Sequence, residues 1–188
     1  MPAPGIRICA SVFCGLLLLA ETAHAFKGVD VTGQGYGGDF RLIAHDGEPR
    51  SAADFAGKVV VVNFGFTHCP DVCPTTLAAL AAAIRSLGDE ARKVQVLFIT
   101  VDPQRDTPQV LAQYVTAFDP GFLGLSGDAA ATRRVARNFR VFYQKVGDSF
   151  DHSAGCYVID AKGRTRLFLR DTLSSADIAY DIRQLLKE

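Results

Sequence analysis

Two stretches of this chain are apolar almost without interruption and rich in β-branched residues. One is Val59-Val60-Val61-Val62-Asn63-Phe64 within residues 58–66, and the other covers residues 94–101. Runs of that length and composition predict strands covered on both faces. Between them, Leu77, Leu80, Ile84 and Leu87 recur at helical spacing and predict a helix over residues 75–87. Further helices are predicted over 108–118, with Pro108 in the first turn, and over 128–139. Residues 40–44 predict a short strand closed by the Asp46-Gly47 turn, and Val141-Phe142-Tyr143 another. Residues 156–160 and 164–169, joined by Ala161-Lys162-Gly163, predict a hairpin. A last helix covers 175–186, with Ser174 and Asp177 in capping-box spacing.

The order is β-α-β-α, an α/β insertion, then β-β-α. It predicts an α/β fold of thioredoxin-like layout, a central mixed β-sheet flanked by helices. Ahead of it, residues 26–39 form a Gly-rich lead-in (Gly28, Gly33, Gly35, Gly37, Gly38), so the domain proper is 40–188. Residues 1–25 have the pattern of a signal peptide. Arg7 precedes an apolar run at 8–20, and Ala23-His24-Ala25 is the small-x-small site that a signal peptidase cuts. The run is shorter than the ~20 residues a bilayer span needs, which favours cleavage over an uncleaved anchor. The expected product is a periplasmic protein that starts at Phe26 and meets membranes only through a partner.

Lys and Arg total 20 and Asp and Glu total 20, so the net charge is zero, which argues against nucleic acid as a partner. Of five cysteines, Cys9 and Cys14 leave with the signal, and Cys69, Cys73 and Cys156 remain. An odd number of thiols in an oxidising compartment points to chemistry rather than stapling.

Cys69 and Cys73 lie in Phe64-Gly65-Phe66-Thr67-His68-Cys69-Pro70-Asp71-Val72-Cys73-Pro74, at the carboxyl end of a central strand, where α/β sheets place ligands. Pro74 is expected to set Cys73 at the helix N-cap, and the helix end to favour thiolate at both sulfurs. Three residues separate them, which allows a disulfide and also allows two thiolates to hold one ion. Thiolates suit copper(I), and an added imidazole also suits copper(II). A closed zinc site wants a fourth ligand that is not obvious, and a structural disulfide is the bland alternative. His152 is the candidate third ligand. It lies in the Asp151-His152-Ser153 loop before the hairpin, expected to face the cysteine turn. His45 is expected in a solvated hairpin turn, and His68 is expected to point away from its neighbour Cys69. Cys156 is expected to be a core thiol, outside the site.

With these residues in view, the chain resembles the Sco/SenC family of copper proteins from about Gly38 onward. The resemblance rests on Gly57-Lys58 with the valine run and cysteine turn, on Val101-Asp102-Pro103-Gln104-Arg105-Asp106-Thr107-Pro108, and on Asp151-His152-Ser153 ahead of Tyr157-Val158-Ile159-Asp160. It implies a thioredoxin-like fold and copper, Cu(I) or Cu(II), held by Cys69, Cys73 and His152. It also implies help in assembling the binuclear copper site of cytochrome c oxidase, with a copper acceptor such as oxidase subunit II as partner. Asp102 and Arg105 match the family's Asp-Pro-x-Arg loop, where Asp102 either orders the site or is a turn carboxylate paired with Arg105. Many relatives keep a membrane anchor, the 147–151 loop is short here, and Cys156 is an extra thiol.

Three functions compete. The leading one is a metallochaperone. The second is a thiol–disulfide reductase with Cys69 and Cys73 as the redox pair, acting with a redox partner to keep a client's cysteines reduced. The third, a thiol peroxidase, rests only on Thr67 ahead of Cys69. The leader makes the first prediction: intact mass of the exported protein should correspond to a chain starting at Phe26, and a membrane-bound species retaining residues 1–25 would refute it.

Overall fold

The computed structural model describes residues 25–188, so the expected leader lies outside the described residues except for Ala25. In chain order the elements are β1 (Val29–Asp30), β2 (Arg41–Ala44), β3 (Pro49–Ser51), β4 (Val59–Gly65), α1 (Val72–Ser86), β5 (Val94–Thr100), α2 (Pro108–Thr116), β6 (Leu123–Ser126), α3 (Ala129–Asn138), β7 (Tyr143–Val146), β8 (Ser149–His152), β9 (Cys156–Ile159), β10 (Thr165–Leu169) and α4 (Ser175–Leu186).

The two apolar runs become adjacent parallel strands, in register from Val59↔Val94 to Gly65↔Thr100. Both are central in an eight-stranded mixed sheet of order β1-β10-β9-β4-β5-β6-β2-β3, in which β6 runs parallel to β5 and β9 antiparallel to β4. Alternation along β4 sends its side chains into two separate apolar layers. Val59 and Val61 face Leu77, Leu80 and Ile84 of α1 and Ile178, Ile182 and Leu185 of α4, with Leu111 and Val115 of α2 in the same layer. Val60, Val62 and Phe64 face Val135 and Ala136 of α3 together with Phe139. With both faces covered, a continuous valine run is the pattern the sheet requires. This is the thioredoxin-like architecture that the element order predicts.

The helix starts follow local capping chemistry. Thr107, Asp128 and Ser174 each accept a backbone N–H from three residues on, satisfying a donor that has no partner within the helix. Ser174 also donates to the Asp177 carboxylate at 2.6 Å.

Four expectations need correction. The N-cap of α1 is Asp71 rather than Cys73, and Thr75 donates to its carbonyl at 3.2 Å. Cys73 is therefore the second helical residue and Pro74 the third. A proline is tolerated there because first-turn N–H groups need no intrahelical acceptor. Next, residues 26–39 are not merely a lead-in, since Val29–Asp30 adds an edge strand to β10 and Tyr36 packs against Tyr157 at 5.4 Å. Thirdly, the strand expected at 141–143 begins at Tyr143 and pairs with β8 in a separate two-stranded sheet, so His152 ends a strand rather than sitting in a loop. Lastly, His45 is half-buried, with its Nδ1 accepting the Gly124 N–H at 3.1 Å, so it is tied to β6 rather than solvated. Among the described residues, no helix is long and apolar enough to cross a membrane.

Cys156 is 2% exposed and sits opposite Asn63, whose amide donates to its sulfur at 3.4 Å. Burial pushes its thiol up to about 12, as expected of a core sulfur. Cys156→Ser should therefore leave metal content unchanged while lowering unfolding stability by roughly 1–3 kcal/mol, because a hydroxyl replaces an apolar atom. Metal stoichiometry and a denaturant melt check this, and loss of metal with the fold intact would contradict it.

Candidate metal centre

The site forms where β4 runs into α1. A turn closes there, with the Cys69 N–H donating to the Phe66 carbonyl at 3.2 Å, and helical geometry resumes at Val72. Cys73 turns back over the end of β4, where Gly65 leaves room for it. A Cβ on Gly65 would lie 2.6 Å from the Cys73 sulfur and 2.9 Å from the Phe98 ring. Real Cβ atoms do not approach so closely, so this glycine is a steric requirement of the sulfur's position.

The structure brings together the three residues expected to form the site. The candidate ligand atoms of Cys69, Cys73 and His152 lie within 4.8 Å of one another, and Cys73 Sγ is 3.7 Å from His152 Nε2. The Cys73 N–H also points at Cys69 Sγ, at 3.5 Å. His152 comes from the far end of β8. Its Nδ1 lies 3.0 Å from the Ser153 carbonyl, and Phe66 meets its ring edge-on at 6.0 Å between centroids. An Nδ1–H donating to that carbonyl leaves the Nε2 lone pair facing the sulfur, the tautomer a metal ligand needs. Phe150 packs on Phe66 at 5.5 Å, so the short β7–β8 hairpin supplies its own aromatic support for the histidine.

Burial is unequal. Cys73 is 1% exposed, whereas Cys69 and His152 are half-buried. Burial pushes the Cys73 thiol well above the ordinary range, opposed in part by a hydrogen bond to the Phe66 backbone. This overturns the expectation that the helix end favours thiolate at both sulfurs. For Cys73, desolvation outweighs the helix N-terminus. A cation bound between the sulfurs reverses that balance, because it supplies the missing counter-charge beside the buried thiolate.

The spacing also fits one ion. With metal–sulfur bonds of ~2.3 Å and metal–nitrogen bonds of ~2.0 Å, ligand atoms on a shared ion lie at most ~4.6 Å apart. Separations up to 4.8 Å therefore need little movement to close. Among the described residues, no fourth histidine, cysteine or carboxylate joins the group, so a closed four-ligand zinc site is not made.

Of the other candidates, His68 is directed to Thr67 Oγ1 at 3.1 Å and lies 3.8 Å from Asp106, away from the group. Asp102 is held by the Arg105 guanidinium, the turn-carboxylate alternative for this pair. The residue that secures the cysteine turn is Asp106, which sequence reasoning did not single out. It is fully buried, and its carboxylate accepts the Thr67 N–H, the Thr67 hydroxyl and the Thr100 hydroxyl. It thereby ties the segment after β4 to the end of β5. The signal for it was available: a threonine just beyond one of two adjacent parallel strands and another at the end of its neighbour, with an acid a few residues after the second.

Fold and site together define a thioredoxin-like domain with two cysteines and one histidine grouped as candidate ligands at the carboxyl end of its central strand. The chain belongs to the SCO1/SenC family, whose model matches residues 30–187. The mitochondrial SCO2 homolog of Mus musculus is 41% identical over 155 residues, covering 78% of this chain and 61% of that protein. An SCO2-like protein of Rickettsia felis is 41% identical over 135 residues, covering 68% and 66%. The chain thus spans about three fifths to two thirds of the length of these curated relatives. Among solved structures, Bradyrhizobium japonicum ScoI with copper bound is 38% identical with a TM-score of 0.75, covering 80% of this chain and 99% of that one. Yeast Sco1 with copper bound is 31% identical with a TM-score of 0.74, covering 81% and 89%.

The Asp106 clamp makes a prediction of its own. Asp106→Ala strands three buried or half-buried donors and should cost on the order of 3 kcal/mol in a denaturant melt. It should also loosen Cys69 and lower metal affinity, although Asp106 touches none of the three candidate ligands. Unchanged stability and affinity would show that the turn holds itself.

Proposed function

We propose that this chain is a periplasmic copper carrier that delivers its ion to the binuclear copper site of cytochrome c oxidase, with subunit II as acceptor. The observation that carries this is the convergence of two sulfurs and one correctly oriented imidazole within 4.8 Å. That donor set is soft enough for copper(I), and its nitrogen extends it to copper(II). Two structures it resembles, ScoI of Bradyrhizobium japonicum and yeast Sco1, have copper bound. Copper is cargo here, held by Cys69, Cys73 and His152.

The asymmetry of burial suits transfer. Cys73 anchors the ion from inside, while the half-buried Cys69 and His152 lie on the side an acceptor reaches. Thiolates of the acceptor can then replace them one at a time, so the ion is never released to water. Removal of the expected leader would free the domain in the periplasm.

A second reading, a thiol–disulfide reductase, is supported by the free thiols of Cys69 and Cys73 on one turn. Cys69 would attack a client disulfide and Cys73 would resolve the mixed disulfide, leaving the client's two thiols and an oxidised Cys69–Cys73 pair. The high thiol range of buried Cys73 disfavours that second step, because thiolate is the attacking form. The peroxidase alternative has less support, since the Thr67 hydroxyl is committed to Asp106 rather than to a sulfur.

His152→Ala separates carrier from reductase. It removes one ligand but keeps both thiols, so copper(II) binding should collapse and copper(I) affinity should fall by about tenfold or more, while exchange with a small dithiol persists. Loading of a pre-reduced acceptor at the wild-type rate by this variant would refute the carrier reading and leave the reductase.

A further inference from the structure

Outside the metal centre, one buried carboxylate has an unusual set of partners. Asp181, on the inner face of α4, is fully buried. Its two oxygens accept the backbone N–H groups of Lys27 and Gly28 at 2.8 and 2.7 Å, pinning the start of the described chain to α4. Gly28 favours this close seating, since a Cβ there would lie 2.7 Å from a Leu169 methyl, 3.1 Å from the Phe168 carbonyl oxygen and 3.2 Å from the Asp181 carboxylate. Phe26 packs against the apolar layer between the sheet and α4, beneath the Arg166 guanidinium. Lys27 lays its ammonium over the Tyr180 ring instead of pairing with the acid, at 5.5 Å. Among the described residues, no cationic side chain forms an ion pair with Asp181. Two amide donors offset only part of the cost of burying a carboxylate, and a counter-ion is the usual remedy.

The expected processing site lies one residue away. Hydrolysis of the Ala25–Phe26 bond by an export peptidase adds water across it, leaving a carboxylate on Ala25 and an α-ammonium on Phe26. Consecutive backbone nitrogens lie at most ~3.7 Å apart. The new ammonium is therefore held within about 6.5 Å of the Asp181 carboxylate by the hydrogen bonds already present, whereas the uncut chain has only a neutral amide there.

We infer that Asp181 is the electrostatic partner of the α-ammonium group released at Phe26, so that leader removal places a positive charge beside this buried carboxylate and holds the amino-terminal strap more firmly to α4. Before cleavage, the described residues supply no formal positive charge in an ion pair with that carboxylate. The precursor is then the less stable form, and the mature fold is secured only after processing. This holds whether or not the chain carries copper, and so fails or stands independently of the carrier reading.

The test uses the full chain, exported and processed, in two forms: native, and with Gly-Ser-Gly inserted between Ala25 and Phe26, which moves the ammonium away while keeping every other residue. Intact mass first establishes where each form begins, and a native product starting anywhere but Phe26 overturns the proposal. The native form should melt at least about 3 °C higher than the extended form. That difference should vanish when both carry Asp181→Asn. Equal melting temperatures, or a difference that survives Asp181→Asn, would overturn it. Should Asp181→Asn fail to fold, labelling of the α-amine with an acylating reagent, read by peptide mass, decides the matter. The native amine should react several-fold more slowly than the extended one, and equal rates again overturn the proposal.

Discussion

The organisation of this domain depends on one close approach, the seating of the Cys73 sulfur against the end of β4 at Gly65. It fixes how α1 leaves the sheet, because the helix must start early enough to carry Cys73 in its first turn and over the strand. It also fixes which residues can surround the sulfur. Phe98 lies close by on β5, and His152 reaches it from a two-stranded hairpin that is separate from the main sheet and packs on its α3 face. Close packing makes such an arrangement intolerant of added volume, since protein interiors hold few voids into which a methyl group can be absorbed.

That seating has an electrostatic consequence. A sulfur removed from water holds its proton strongly, so the apo pair is a mixed one, with Cys73 protonated and desolvated and Cys69 partly in solvent. A soft cation changes the balance by supplying charge where the protein supplies none. The same burial that discourages thiol–disulfide chemistry at Cys73 therefore favours a metal whose bond to thiolate displaces the proton. Asp106 belongs to this scheme although it is no ligand. By gathering three donors from Thr67 and Thr100, it ties the cysteine turn after β4 to the end of β5.

Asp106 and Asp181 are two fully buried carboxylates that act through backbone and hydroxyl donors rather than through side-chain cations. Each ties an irregular segment to the regular core, Asp106 the cysteine turn and Asp181 the first residues after the expected leader. In both places backbone N–H groups lie outside the regular ladders, at Thr67 and at Lys27 and Gly28, and a buried acid accepts them.

Much of this was legible along the chain. The valine runs specified central strands because only two-sided burial tolerates them, and capping residues at Thr107, Asp128 and Ser174 marked helix starts by local chemistry. The spacing of Cys69 and Cys73 after a strand, with His152 ahead of the last hairpin, marked the candidate ligands. What the chain alone did not decide was anything set by contact between distant segments. Pro74 suggested a later helix start, but the first turn forms two residues earlier because the seated sulfur needs it. The Cys73 thiol follows desolvation rather than helix polarity, and that desolvation depends on the fold around Gly65, including Phe98 and the β7–β8 hairpin, which are remote in sequence. Asp106 and Asp181 read as ordinary acids until the fold buries them. Propensity, capping and spacing act over a few residues and can be read from one sequence, whereas burial and charge compensation are properties of a neighbourhood that exists only once the chain has folded.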